Sequence, residues 1–215
     1  MKPSAIVFDF DGTIADTEWP IYEVALHAFR SHGLDFALEE WVKGIGLADN
    51  KSLEELLADA LGEPPDPEIL RAAGERRTRW NDQMVVFPGV VEVIAAANSF
   101  GIPLAVASSS PTSWVEPHLE RLELKHHFVS IRTRDHVDRG KPAPDLFLAA
   151  AAALGVDPAG TVAIEDSRHG CASAKAAGMT CVVVPNRITT LDPPTDADHI
   201  LETLLDFPYS RFGLA

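Results

Sequence analysis

Ala5-Ile6-Val7-Phe8-Asp9-Phe10-Asp11-Gly12-Thr13 is the stretch on which the reading of this chain turns. Four apolar residues in a row have the length and character of a strand buried on both faces, and the abrupt change to an acidic, glycine-containing turn marks where that strand opens onto a loop. After Asp16-Thr17, Ile21, Val24, Ala25, Ala28 and Phe29 recur at helical spacing, and Gly33 stands where a C-terminal cap belongs.

Further along, Leu53, Leu56, Leu57, Ala60 and Leu61 make a second helical stripe, closed by Gly62 and the Pro64-Pro65 break. A third helix is predicted from Glu68 to Gln83, with no strand among the three. Beyond Phe87-Pro88-Gly89 the character changes. Helices predicted over 90–100, 112–122, 145–154 and 167–177 alternate with short apolar strands over 104–107, 128–131, 161–164 and 181–184. Such alternation argues for a parallel sheet covered on both faces, and Ala5 to Phe8 joins it. The expectation is an α/β fold: a Rossmann-like core of residues 1–16 and 88–215, with an all-helical cap of residues 17–87 inserted after the first strand.

At 215 residues, with 46% hydrophobic and 23% charged residues, the chain has the composition of an ordinary globular protein. Its 32 acidic against 18 basic residues give a formal net charge of −14, which disfavours nucleic acid and anionic membranes as partners. A small anionic substrate would need a local positive site. Cys171 and Cys181 fall in a predicted helix and strand, so buried thiols in a reducing compartment are expected rather than a disulfide. The opening residues lack the apolar stretch of a signal peptide, and no segment has the apolar length of a membrane span. A cytoplasmic monomer is the expectation.

Ligands of open parallel sheets bind beyond the carboxyl ends of the strands. Four sets of polar residues fall at such ends: Asp9 with Asp11, Ser108 with Ser109 and Ser110, Lys141, and Glu165 with Asp166. Taken singly each has a plain explanation. Acids often cap helices, lysines are usually solvated, and serine runs are usually loops.

Together, Asp9-Phe10-Asp11-Gly12-Thr13, Ser108, Gly140-Lys141-Pro142 and Glu165-Asp166-Ser167 resemble the four motifs of the haloacid dehalogenase superfamily of phosphotransferases, in the right order over nearly the whole chain. The branch it looks most like contains β-phosphoglucomutase and its phosphatase relatives, whose helical cap is inserted just after the first motif. The resemblance implies that Asp9 is a nucleophile forming an aspartyl-phosphate, with Asp11 as acid and then base. It implies Mg2+ held by Asp9, the main-chain carbonyl of Asp11, Asp166 and Glu165. Lys141 and Ser108 would contact the transferring phosphoryl group, helped by the amide of Ser109.

Within that superfamily, the acid at Asp11 argues against dehalogenases and phosphonatases, which lack one there. The mutases carry a Lys-Gly-x-x-Arg type stretch in the cap and a histidine early in its first helix. Here Lys43-Gly44-Ile45-Gly46-Leu47-Ala48 supplies the lysine without the arginine, and Trp19-Pro20-Ile21 supplies no histidine. The expected function is therefore a phosphatase for a small phosphorylated metabolite, with hexose phosphate mutase and a non-catalytic phosphate-binding protein as the other readings. Lys43 is a candidate substrate contact, with Asp49, Asn50 and Lys51 as loop residues near it. Trp19, Trp41 and Trp80 are placed in the cleft or in packing, and His126 and His127 on the surface.

Overall fold

The computed structural model describes residues 2–47 and 50–214, so Asp49 lies outside the described residues. Six strands, β1 (Ala5–Phe8), β2 (Leu104–Ala107), β3 (Ser130–Arg132), β4 (Thr161–Glu165), β5 (Thr180–Val183) and β6 (His199–Ile200), form one parallel sheet in the order β3-β2-β1-β4-β5-β6. The central β1 is fully buried, as its unbroken apolar run requires.

Successive residues of a strand face opposite ways, and here the two faces differ in size. Ile6, Phe8, Leu104, Val106 and Ile164 pack toward α5 (Val90–Ser99) and α6 (Thr112–Arg121). Val7, Ala105, Ala107, Ala163 and Cys181 face α7 (Asp145–Leu154) and α8 (Arg168–Ala176), which answer with Ala150, Ala151 and Ala174 around Leu146 and Phe147. Both cysteines are free and buried in this second layer.

Between β1 and α5 the chain forms α1 (Glu18–Ser31), α2 (Leu38–Trp41), α3 (Leu53–Leu61) and α4 (Pro67–Gln83). Ser52 and Glu55 form a reciprocal capping box at the start of α3, and Asp66 caps α4 with Pro67 in its first turn. Val24, Ala28, Phe29, Leu57 and Ala73 make a separate small core, with Trp80 packed against it. The segments entering and leaving these helices run side by side, since Ala15 bridges Val86 and the Phe87 N–H donates to the Ile14 carbonyl at 2.9 Å. Two short elements, α2 and β6, were not expected, and the predicted strand over 128–131 forms two residues later at its start, because Val129 is exposed at the sheet edge. Among the described residues no helix is long and apolar enough to cross a membrane.

Candidate active site

The order of strands reverses between β1 and β4, and a crevice opens beyond their carboxyl ends at such a switch point. Asp9 leaves β1 there, its N–H donating to the Ile164 carbonyl at 2.9 Å. Lys141 comes from the loop after β3. Its ammonium donates to Asp9 Oδ1 and, at 2.5 Å, to Glu165 Oε1, and its side chain is 1% exposed.

Glu165, the last residue of β4, is held at both oxygens. Oε2 accepts from the Asp166 N–H at 3.1 Å, the Ser167 N–H at 3.3 Å and the Ser167 hydroxyl at 3.1 Å. Only glycine fits beneath it: a Cβ on Gly170 would stand 2.0 Å from the Glu165 carboxylate. Asp166 accepts from Asn186 Nδ2 at 2.8 Å and from the Thr13 hydroxyl at 3.3 Å. Gly12 turns the chain beside it at φ +79°, where a Cβ would come within 2.5 Å of Asp166 Oδ2.

Asp9, Glu165 and Asp166 each offer a carboxylate oxygen, and these oxygens all lie within 4.8 Å of one another. Three buried carboxylates thus meet a single ammonium. Burial pushes Asp9 up to about 8, against the pull of Lys141 and with the push of Glu165 and Asp11. Burial, then Glu165 and Asp9, hold Asp166 well above the usual carboxylate range. Burial opposes the charge on Lys141, yet Asp9 and Glu165 together keep it above the ordinary lysine range. A hard divalent cation fits this donor set: the ligands are oxygens, they converge, and once ionised they carry more negative charge than Lys141 offsets.

Asp11 stands apart from that cluster. Its carboxylate accepts from Ser108 Oγ at 3.2 Å, Ser110 Oγ at 2.6 Å and Trp114 Nε1 at 2.8 Å. Ser109 is turned to the helical segment, its hydroxyl donating to the Gly46 carbonyl at 2.9 Å. A cavity of about 190 Å³ opens above, lined by Asp9, Asp11, Glu18, Ser109, Ser110 and Arg134 among others. Glu18, in the first turn of α1, is pushed up to about 8 by burial and by Asp11, Asp9 and Asp16.

The structure therefore gathers Asp9, Lys141, Glu165 and Asp166 into one cluster and sets Asp11, Ser108 and Ser109 beside it. Lys43 is not among them. Its exposed ammonium pairs with Glu40 at 2.6 Å, while its carbonyl lies 3.3 Å from His169 Nε2. Asn50 lines the cavity, and Lys51 pairs instead with Asp59. Trp19 lies under the Arg187 guanidinium, 3.4 Å from ring centroid to Cζ, and His126 is exposed. Ser110 was named at its strand end without a role, whereas Trp114, Asn186, Glu18 and Arg134 were missed as parts of the site. None of these four carried a signal in its own segment.

Residues 6–184 match the family of haloacid dehalogenase-like hydrolases. The chain belongs to this family. Within it, the sequence is 40% identical over 203 residues to the Bacillus subtilis protein named "Putative phosphatase YhcW", covering 94% of this chain and 92% of that one. It is 32% identical over 209 residues to protein CbbY of Rhodobacter capsulatus, covering 92% of each. The crystal structure of CbbY from Rhodobacter sphaeroides in complex with phosphate matches the fold with a TM-score of 0.74 at 30% identity over 96% of each chain. The expected superfamily, its α/β fold and a hydrolytic enzyme of the phosphatase branch all stand.

Proposed function

We propose that this haloacid dehalogenase-like hydrolase is a Mg2+-dependent phosphatase that cleaves a small phosphorylated metabolite through an aspartyl-phosphate on Asp9. The observation that carries this reading is the Lys141 ammonium bridging Asp9 and Glu165 beside Asp166. Asp9, Asp166 and the Asp11 carbonyl would hold the ion, with Glu165 fixing Lys141 and the turn. When bound, Mg2+ would offset the repulsion between the Asp9 carboxylate and a phosphate dianion.

In the first half-reaction an Asp9 oxygen attacks phosphorus, the phosphorus–oxygen bond to the leaving group breaks, and Asp11 gives that oxygen a proton. In the second, Asp11 takes a proton from water as it attacks the aspartyl-phosphate, which frees Asp9 and releases phosphate. Lys141 and the Ser108 hydroxyl neutralise and position the phosphoryl oxygens. Residues 17–87 act as a cap over the site, with Ser109 and Gly46 joining it to the core.

Hydrolysis is favoured over a mutase by Lys43, which is spent on Glu40 at the surface instead of facing the cavity. The test is phosphate release from p-nitrophenyl phosphate with Mg2+. Activity is expected to vanish with chelator and to fall by at least about 10³-fold in Asp9→Asn. Undiminished turnover in that variant would refute the nucleophile. Absence of turnover in the wild type would favour the phosphate-binding reading, and conversion of β-glucose 1-phosphate to glucose 6-phosphate the mutase.

A further inference from the structure

Arg134 follows β3 in the loop Thr133–His136, and its position is fixed by backbone contacts instead of by its own side chain. Its N–H donates to the Ser110 carbonyl at 3.2 Å. The loop is pinned again where the Thr112 and Thr133 hydroxyls meet at 2.7 Å and where the Thr112 N–H donates to Asp135 at 2.7 Å. Ser110 is the residue whose hydroxyl holds Asp11 at 2.6 Å. Arg134 is thus anchored to the wall of the cavity that carries Asp11.

Its guanidinium is exposed, and among the described residues it makes no salt bridge and no side-chain hydrogen bond. Its one electrostatic partner of note is the neighbouring Asp135, whose carboxylate is already engaged by Thr112. Arg71 pairs with Glu68 and Glu75, Arg139 with Asp145, and Arg168 with Asp192, whereas Arg76, Arg77 and Arg79 in α4 do not line this cavity. Of the described residues lining the cavity, Arg134 alone is cationic, and it shares that lining with Asp9, Asp11 and Glu18. In a protein of net charge −14, a guanidinium left unpaired on the wall of this cavity is available to an anion that enters it.

The transferring phosphoryl group already has Lys141 and the cation site at the floor. Asp11 protonates the oxygen that departs, so the wall bearing Asp11 and Arg134 is the leaving-group side. We infer that Arg134 is a specificity-determining residue, recognising a second anionic group, carboxylate or phosphate, on the leaving-group portion of the substrate. This inference rests on the phosphatase reading given above, in which Asp11 is the acid. The substrate class it names is a phosphate monoester of a molecule that is itself anionic, as opposed to a neutral sugar or polyol monophosphate. The planar guanidinium suits either anion through paired N–H donors.

Two matched pairs test it, each differing by one anionic group: glycerol 1-phosphate against 3-phosphoglycerate, and fructose 6-phosphate against fructose 1,6-bisphosphate. The first pair reports a carboxylate and the second a phosphate. For each pair the ratio of kcat/KM, anionic over neutral member, is measured in wild type and Arg134→Ala. The same four compounds are then titrated calorimetrically into Asp9→Asn with and without Arg134→Ala, in the presence of Mg2+. In at least one pair the wild type is expected to prefer the anionic member, with the preference falling about 10- to 100-fold in Arg134→Ala. Arg134→Lys is expected to retain part of it, and the melting temperature to be unchanged because the side chain holds nothing in place.

A ratio identical in wild type and Arg134→Ala for both pairs overturns the inference, whether the variant lowers both members equally or neither. Equal lowering would place Arg134 on the transferring phosphoryl group instead. Should the wild type release phosphate neither from the four nor from p-nitrophenyl phosphate, the phosphatase reading fails on its own, and the binding ratios still decide for or against Arg134.

Discussion

The floor of the site and its mouth are built on different principles. On the floor, Asp9, Lys141, Glu165 and Asp166 are all buried, and each is held by partners in the protein. At the mouth, Glu18 is forced up to about 8 among other acids, and Arg134 is left without an ion pair among the described residues. A preorganised floor can neutralise charge as it develops without reorganising at the moment of reaction. A mouth with unspent charge leaves its hydrogen-bonding capacity to whatever enters. The difference separates chemistry from selection: changes below should cost turnover and stability, and changes above should alter which ester is cleaved.

The hardest blow to that contrast is Lys141→Met. It removes the only cation that the described residues place among three buried carboxylates, so kcat should drop by about 10²- to 10³-fold. Stability should fall by about 3–5 kcal/mol in denaturant titration at neutral pH, the cost of leaving buried charge uncompensated. The stability loss should shrink on acidification, as the carboxylates take up protons. A loss confined to KM, with stability intact, would mean that the floor is not preorganised.

Gly170→Ala sharpens the same point without touching a charge. Its methyl would overlap the Glu165 carboxylate, displacing the group that orients Lys141 and holds Ser167, the N-cap of α8, for about 1–3 kcal/mol of stability and a fall in kcat. Gly74→Ala in exposed α4 is the matched control, since a Cβ there meets nothing within 4 Å and the helix should gain about 0.5–1 kcal/mol. Thermal melts of the two variants should therefore move in opposite directions.

The last test is in pH. Asp9 and Glu18 both sit near 8 in the folded protein, far above their unfolded values. Between the ordinary carboxylate range and about pH 8 the folded state therefore binds more protons than the unfolded one, and stability declines as pH rises through that window. Metal-free protein should therefore melt at a lower temperature at pH 8 than at pH 5. Glu18→Gln should flatten part of that slope, and Mg2+ should restore most at the alkaline end. A melting temperature that climbs with pH in chelator would contradict the crowding of carboxylates.

Much of the fold was legible because one signal dominated. An uninterrupted Ala5–Phe8 run can be satisfied only by burial on both faces, and alternating apolar stretches after Phe87 supply the remaining helices and strands. What escaped was short: Leu38–Trp41 spans one helical turn and His199–Ile200 two residues, too little for periodicity to register. In the site, Asp9, Ser108, Glu165 and Asp166 were readable from their places at strand ends. Lys141 was placed at a strand end too, but its role came through the family resemblance, since nothing in its own segment marks a lysine as buried. Trp114, Asn186 and Arg134 were invisible for a different reason. Their contacts cross gaps of 103, 20 and 24 residues to Asp11, Asp166 and Ser110, so topology alone makes them neighbours.

The unequal faces of the sheet also bear on how this protein can change over time. On the side of α5 and α6, bulky aliphatic and aromatic side chains share the space, and a gain in one can be met by a loss in another. Alanines meet alanines opposite α7 and α8, where a chain already lacking all but its first carbon has nothing left to surrender. Drift should therefore run freely along one side of the central layer and stall along the other, with Glu165 and Gly170 standing at the edge of the side that cannot yield.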